Sequence, residues 1–96
     1  MKRFVLTEQA EADINEAWEY IGEGNLDAAD QLRNELYDAM RKLADMPGMG
    51  RVRLELADER HRFWIVRPYI IVYRHDTNPL QIIRVLHGAR DIENLL

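Results

Sequence analysis

There is no cysteine among the 96 residues, which excludes disulfides, thiolate nucleophiles and cysteine-based metal sites together. Lysine is almost as scarce: Lys2 and Lys42 stand against 11 arginines. No uninterrupted apolar run exceeds the five residues Tyr69-Ile-Ile-Val-Tyr73, and a membrane-spanning helix needs about 20. Met1-Lys2-Arg3 has the charge of a signal-peptide start, but Thr7-Glu8-Gln9 follows before any useful apolar stretch. The three histidines, His61, His75 and His87, lie 14 and 12 residues apart without a clustered carboxylate, so no metal-ligand spacing exists. Gly48-Met49-Gly50 precedes Arg51 without opening a helix, which excludes a phosphate-cradling loop. These absences predict a cytoplasmic protein with no cofactor and no metal.

What is present is ordinary globular material, 47% hydrophobic and 31% charged. A chain of this length forms one domain, here taken as residues 1–96, and buries roughly 65% of its unfolded surface. Its net charge of −4 hides a split. Residues 1–50 carry 5 basic and 11 acidic side chains, a net −6, whereas residues 51–96 carry 8 and 6, a net +2. Between positions 60 and 90 six arginines (60, 62, 67, 74, 84, 90) face a single acid, Asp76. Arginine makes planar, bidentate contacts to carboxylate or phosphate, so this half reads as an anion-seeking surface.

Arg3-Phe4-Val5-Leu6 reads as a short strand. Thr7 is a helix N-cap, with Glu8 and Glu11 in the first turn, where the helix dipole favours acids. Ala10, Ile14, Ala17, Trp18 and Ile21 then recur at helical spacing over 8–21 and read as core. Gly22-Glu23-Gly24 ends that helix, and Asn25 caps a second over 26–46, with Ala29, Leu32, Leu36, Met40 and Leu43 on its apolar stripe. The short connection makes an antiparallel αα-hairpin. Beyond Pro47-Gly48-Met49-Gly50 the period changes to two. Residues 61–66, 69–75 and 80–87 are β-branched and aromatic, separated by Arg67-Pro68 and by the hairpin loop Asp76-Thr77-Asn78-Pro79. The expected fold is α+β: a short N-terminal strand, an αα-hairpin, then a three-strand antiparallel meander with both helices on one sheet face. Residues from Ala89 to Leu96 form a terminal turn of helix.

A four-residue loop at 76–79 pairs position 73 with 82, 71 with 84 and 69 with 86. Tyr69, Ile71 and Tyr73 then share a face with Ile82, Arg84 and Leu86. Ile70, Val72 and Arg74 share the other with Gln81, Ile83, Val85 and His87. The compact residues of the second face suit packing beneath the helices. That leaves the tyrosine face to be covered by the C-terminus or by a partner.

The chain resembles the RelE/ParE superfamily of toxins from type II toxin–antitoxin pairs. The resemblance rests on Ala10-Glu-Ala-Asp-Ile14, Pro47-Gly-Met-Gly-Arg51, Tyr69-Ile-Ile-Val-Tyr-Arg74 and Ile83-Arg-Val-Leu-His-Gly-Ala-Arg-Asp91. The last string, with Ile92 trailing it, is typical of the ParE branch. The resemblance implies a toxin held in a hetero-oligomer by a ParD-like antitoxin that wraps it with an extended or helical segment. Characterised ParE-like members poison DNA gyrase, and RelE-like members cleave messenger RNA on the ribosome. Gyrase or a related topoisomerase is the expected target, inhibited by binding. The alternatives are a RelE-like messenger RNA endonuclease and a degenerate toxin that only binds antitoxin.

The residues bear on this choice. Cleavage of RNA through the 2′-hydroxyl requires a general base, a general acid and phosphate-binding cations. His87, Tyr73, Arg84, Arg74, Arg62 and Arg90 are available, but no obvious base accompanies them. The RelE-like site includes a Tyr or His near the C-terminus, where this chain has Ile92-Glu-Asn-Leu-Leu96. Net acidity also weighs against direct nucleic-acid binding, which draws on neutralised phosphates. A catalytic set is therefore not expected. The target-contact candidates are Arg62, Arg74, Arg84, His87 and Arg90, and the antitoxin-contact candidates are Tyr69, Ile71, Tyr73, Ile82 and Leu86.

Overall fold

The computed structural model describes residues 3–95, with side chains through 91. Strand β1 (Phe4–Leu6) leads into helix α1 (Glu8–Gly22), and α2 (Leu26–Asp45) follows. A single 3-10 turn at Pro47–Met49 precedes the meander β2 (His61–Val66), β3 (Tyr69–Arg74) and β4 (Leu80–His87), and α3 (Gly88–Leu95) closes the chain. The expected α+β architecture is therefore observed. None of the described helices is long and apolar enough to cross a membrane.

The helix starts follow from their caps. The Thr7 hydroxyl accepts the Ala10 N–H at 3.1 Å and donates to the Ile83 carbonyl at 2.7 Å, so one side chain both caps α1 and ties it to β4. The Asn25 side chain accepts the Ala28 N–H at 3.0 Å and starts α2. Trp18 departs from its expected place in the core. It is half-buried at the rim of the hairpin, where its indole N–H donates to Asp30 at 2.8 Å and Arg33 lies over its ring.

The sheet order is β1-β4-β3-β2, with β1 parallel to β4 and the other pairs antiparallel. The chain thus passes from one edge, through the helix pair, to the opposite edge before filling the centre. Register near the hairpin is as expected, Tyr73 opposite Ile82 and Arg74 opposite Gln81. A β-bulge at Val72/Tyr73 then shifts the pairing, so that Val72 faces Arg84, Ile71 faces Val85 and Tyr69 faces His87. Ile83 is the extra residue, and the slip turns Val85 toward the helices and Leu86 away from them.

The expected assignment of faces is reversed. Tyr69, Ile71, Tyr73 and Ile82 pack under the helices against Ile14, Leu36, Met40 and Leu43, in the main core. Ile70, Val72, Leu86 and Phe63 form a smaller cluster on the outer face, with Leu56 and Ala57 of the 51–60 segment folded over them. The reason lies in the Tyr73 hydroxyl. It donates to the Pro47 carbonyl at 2.7 Å and accepts the Gly50 N–H at 2.8 Å, so the ring can be fully buried with its polar end satisfied. Burial pushes its phenol above the ordinary value, against the opposing pull of the Gly50 N–H and of Arg62.

Two substitutions test this anchor. A Cβ on Gly50 would stand 2.5 Å from the Tyr73 hydroxyl and 3.0 Å from the Phe63 carbonyl, so Gly50→Ala must displace the ring or the turn. Tyr73→Phe keeps the ring and leaves the Gly50 N–H and Pro47 C=O without their partner, at a cost of about 1–3 kcal/mol for each buried group left bare. Thermal unfolding should show Tyr73→Phe melting at least about 5 °C below the wild type. An unchanged melting temperature would mean that the hydroxyl does not anchor the turn.

Candidate functional site

The five target-contact candidates fall in three places. Arg84 and Arg90 come together at the C-terminal end of β4, where they line an open cleft of about 250 Å³ with Asp13, Glu16, Tyr69 and Asp91, and His87 stands next to them against the Tyr69 ring and the Arg90 N–H. Arg74 lies at the hairpin end of the sheet, and Arg62 sits under the turn that follows α2.

Arg84 is not a free cation. Its Nε donates to Asp13 at 2.8 Å and its Nη2 to the other carboxylate oxygen at 3.0 Å, while the Val85 N–H donates to Asp13 at 3.0 Å. One α1 carboxylate, with its side chain only 12% exposed, therefore receives both the guanidinium and the backbone of β4. Charge-assisted, bidentate contacts of this kind fix geometry. In the sequence Asp13 stands out only as part of the Ala10-Glu-Ala-Asp-Ile14 string. Its partners lie 71 and 72 positions away, and nothing local signals the pairing.

His87 and Asp91 cap α3 reciprocally. The His87 Nδ1 accepts the Arg90 N–H at 3.2 Å, and Asp91 accepts the His87 N–H at 2.7 Å. The imidazole also meets the Tyr69 ring edge-on at 5.4 Å. Arg90 donates through Nε to Asp91 at 3.0 Å. That contact, first, and the His87 N–H hold the Asp91 carboxyl below its ordinary range, against the effect of burial. The Glu93 side chain, an alternative partner for Arg90, lies outside the described residues.

Arg74 is held bidentately by Asp76 at 3.0 and 2.7 Å. Arg62 donates to the Gly50 carbonyl at 2.9 Å, and its Nε is buried without a hydrogen-bond partner. Each of the five is thus engaged within the fold, and only the β4-end group forms a cleft. No group of histidines and carboxylates among the described residues could hold a metal ion.

The antitoxin-contact candidates need correction. Tyr69, Ile71, Tyr73 and Ile82 are at most 4% exposed beneath α1 and α2, and Leu86 is 2% exposed on the outer face. Helices α1 and α2 cover the first four, and Leu56 and Ala57 of the 51–60 segment pack against the cluster that holds Leu86. None of the five offers surface to another molecule unless the core opens.

Comparison with known proteins places the chain. Residues 4–92 match the model of the ParE toxin of type II toxin–antitoxin system, parDE. The chain belongs to the ParE toxin family. It is also 32% identical over 90 residues to Toxin RelE2 of Caulobacter vibrioides, covering 94% of this chain and 99% of that protein. Among solved structures, the chromosomal ParDE TA system from P. aeruginosa superposes with a TM-score of 0.71 over 88% of this chain and 92% of that one. At 17% identity that likeness speaks for the fold. A ParE-family toxin with this arrangement has its arginine-rich strand end fastened to its acidic first helix.

Two measurements follow from this site. Asp13→Ala strips the Val85 N–H and Arg84 of their common acceptor and should destabilise the fold by about 1–3 kcal/mol in denaturant titration. Arg90→Ala, at an exposed pair, should leave the midpoint nearly unchanged. The Asp91 carboxyl, held low in the fold, contributes stability that is fully present above its ordinary unfolded value and is lost as pH falls through its folded value. The wild type should therefore exceed Asp91→Asn in stability at pH 7, with the gap closing in the acid range below pH ~4. A gap independent of pH would rule out this capping role for the carboxylate.

Proposed function

We propose that this ParE-family toxin is held by a cognate antitoxin and acts by binding DNA gyrase or a related topoisomerase, without catalysing a reaction of its own. The observation that carries the reading is the state of its polar side chains. The Tyr73 hydroxyl is bonded on both sides inside the core, the His87 Nδ1 is occupied as a helix cap, and Arg74, Arg84 and Arg90 each meet a carboxylate. General acid–base cleavage of RNA asks for groups poised toward a substrate phosphate, and these groups face their own fold. An inhibitor that acts by surface complementarity needs only a rigid face, which the Asp13–Arg84 and His87–Asp91 pairings supply at the end of β4.

The antitoxin part of the proposal is supported by the family match and by the likeness to the solved chromosomal ParDE TA system. The name of the relative Toxin RelE2 favours a second reading, an RNA endonuclease on the same fold.

Induced expression in a bacterium separates the two. The expected result is growth arrest with induction of the DNA-damage response while reporter transcripts stay full length, and relief of both effects on co-expression of the adjacent antitoxin gene. Codon-phased cleavage of translated messages without a damage response would establish the endonuclease instead. Normal growth would leave a degenerate toxin that only binds antitoxin.

A further inference from the structure

Of the six arginines between positions 60 and 90, five are bonded within the fold. Arg60, Arg74, Arg84 and Arg90 each meet a carboxylate, and Arg62 donates to the Gly50 carbonyl. Arg67 is the exception. It is exposed and makes no hydrogen bond or ion pair with any described residue. Folding therefore supplies no reason for a cation at this position.

Its place is nonetheless fixed. Arg67 and Pro68 are the two residues that join β2 to β3, and Val66 pairs with Tyr69 on either side of them. Proline fixes its own φ and restricts the residue before it to extended backbone, so Arg67 has little freedom within the turn. The Pro68 carbonyl accepts the Gly88 N–H at 2.9 Å, which ties the turn to the first residue of α3. Tyr69, next in the chain, pairs with His87 and meets its ring edge-on. The turn thus stands at the same end of the sheet as the cleft lined by Arg84 and Arg90, with β2 and β4 two strand spacings, about 10 Å, apart.

We propose that Arg67 is a further target-contact residue, extending the β4-end face and receiving the carboxylate of an acidic side chain on the surface of the topoisomerase. The inference rests on the gyrase reading above and adds to it an arginine that the fold leaves uncommitted. A protein carboxylate fits this place better than a nucleic-acid phosphate. Asp13, Glu16 and Asp91 line the cleft beside the turn, so a phosphodiester strand, charged at every step, would run against them. One acidic side chain can meet Arg67 without doing so. The planar guanidinium takes a carboxylate bidentately, and at Arg67 no internal pair must first be broken, as it must at Arg84 or Arg90.

Inhibition of supercoiling by purified DNA gyrase, or of decatenation by its topoisomerase relative, tests this directly. Arg67→Ala should raise the toxin concentration for half-inhibition about tenfold and Arg67→Glu about 100-fold, with the loss in Arg67→Ala shrinking as added salt screens the pair. Arg67→Lys, which keeps the charge without the planar fork, should fall between the wild type and Arg67→Ala. Because Arg67 is exposed and unbonded, all three variants should melt within about 2 °C of the wild type. They should also bind the product of the adjacent antitoxin gene within about threefold of the wild-type affinity. Wild-type inhibition by Arg67→Glu overturns the contact while the target reading stands. So does a loss of antitoxin binding with inhibition unchanged, which would give Arg67 to the antitoxin. Loss of binding to a DNA duplex alone, in step with the loss of inhibition, would make phosphate the ligand and overturns the carboxylate contact. A wild-type chain that inhibits neither enzyme overturns the target reading itself.

Discussion

Tyr73 sits on the central pair of strands with no exposed surface, and a phenol stays in such a place only while its hydroxyl is bonded. The Pro47 carbonyl and the Gly50 N–H satisfy it, and both belong to the turn that ends the helical half of the chain. This constraint decides several others. It directs the tyrosine face of β3 toward α1 and α2. It requires a residue without a Cβ at position 50, because any side chain there would strike the ring. It also sets the path of the chain into Arg51, whose bridge to Phe63 starts the outer edge of β2.

The bulge beside Tyr73 completes the arrangement. With one extra residue in β4, Val85 joins the helical core and Leu86 joins the outer cluster. The same irregularity accompanies the approach of Arg84 to Asp13, which receives the guanidinium and the Val85 N–H together. A strand whose inner face is apolar is thereby joined to α1 by a charged pair at its border, where the Asp13 side chain is 12% exposed.

Charge follows the same logic. The acidic N-terminal half and the arginine-rich C-terminal half meet at the Asp13–Arg84 and Arg3–Asp45 pairs, and further arginines are matched locally by Asp58, Asp76 and Asp91. Four of the six arginines between positions 60 and 90, Arg60, Arg74, Arg84 and Arg90, are thereby paired with carboxylates at strand ends and turns. A groove beside Ile65 is also both apolar and cationic, and Met49, Arg51 and Ile70 in its lining belong to the Pro47–Arg51 and Tyr69–Arg74 strings that carry the ParE resemblance.

Local patterns in the sequence were enough to place the elements, because capping, periodicity and turn chemistry act over a few residues. Thr7 and Asn25 start helices through their own side chains, the stripe from Ala29 to Leu43 faces one way at helical spacing, and Asp76–Pro79 forms the hairpin loop. The family strings were equally legible, since they run along contiguous chain. Which sheet face lies beneath the helices was not, because both faces carry similar apolar residues and the decision falls to a hydroxyl whose partners lie 23 and 26 positions upstream. The bulge was hidden for a related reason: Ile83 fits either face by its chemistry, so only the three-dimensional fit of β3 against β4 shows it to be the unpaired residue. Asp13 became an acceptor, and Tyr69, Ile71, Tyr73 and Ile82 became core, through contacts between segments distant in the chain. Sequence spacing carries no record of such distances, and tertiary packing decides them.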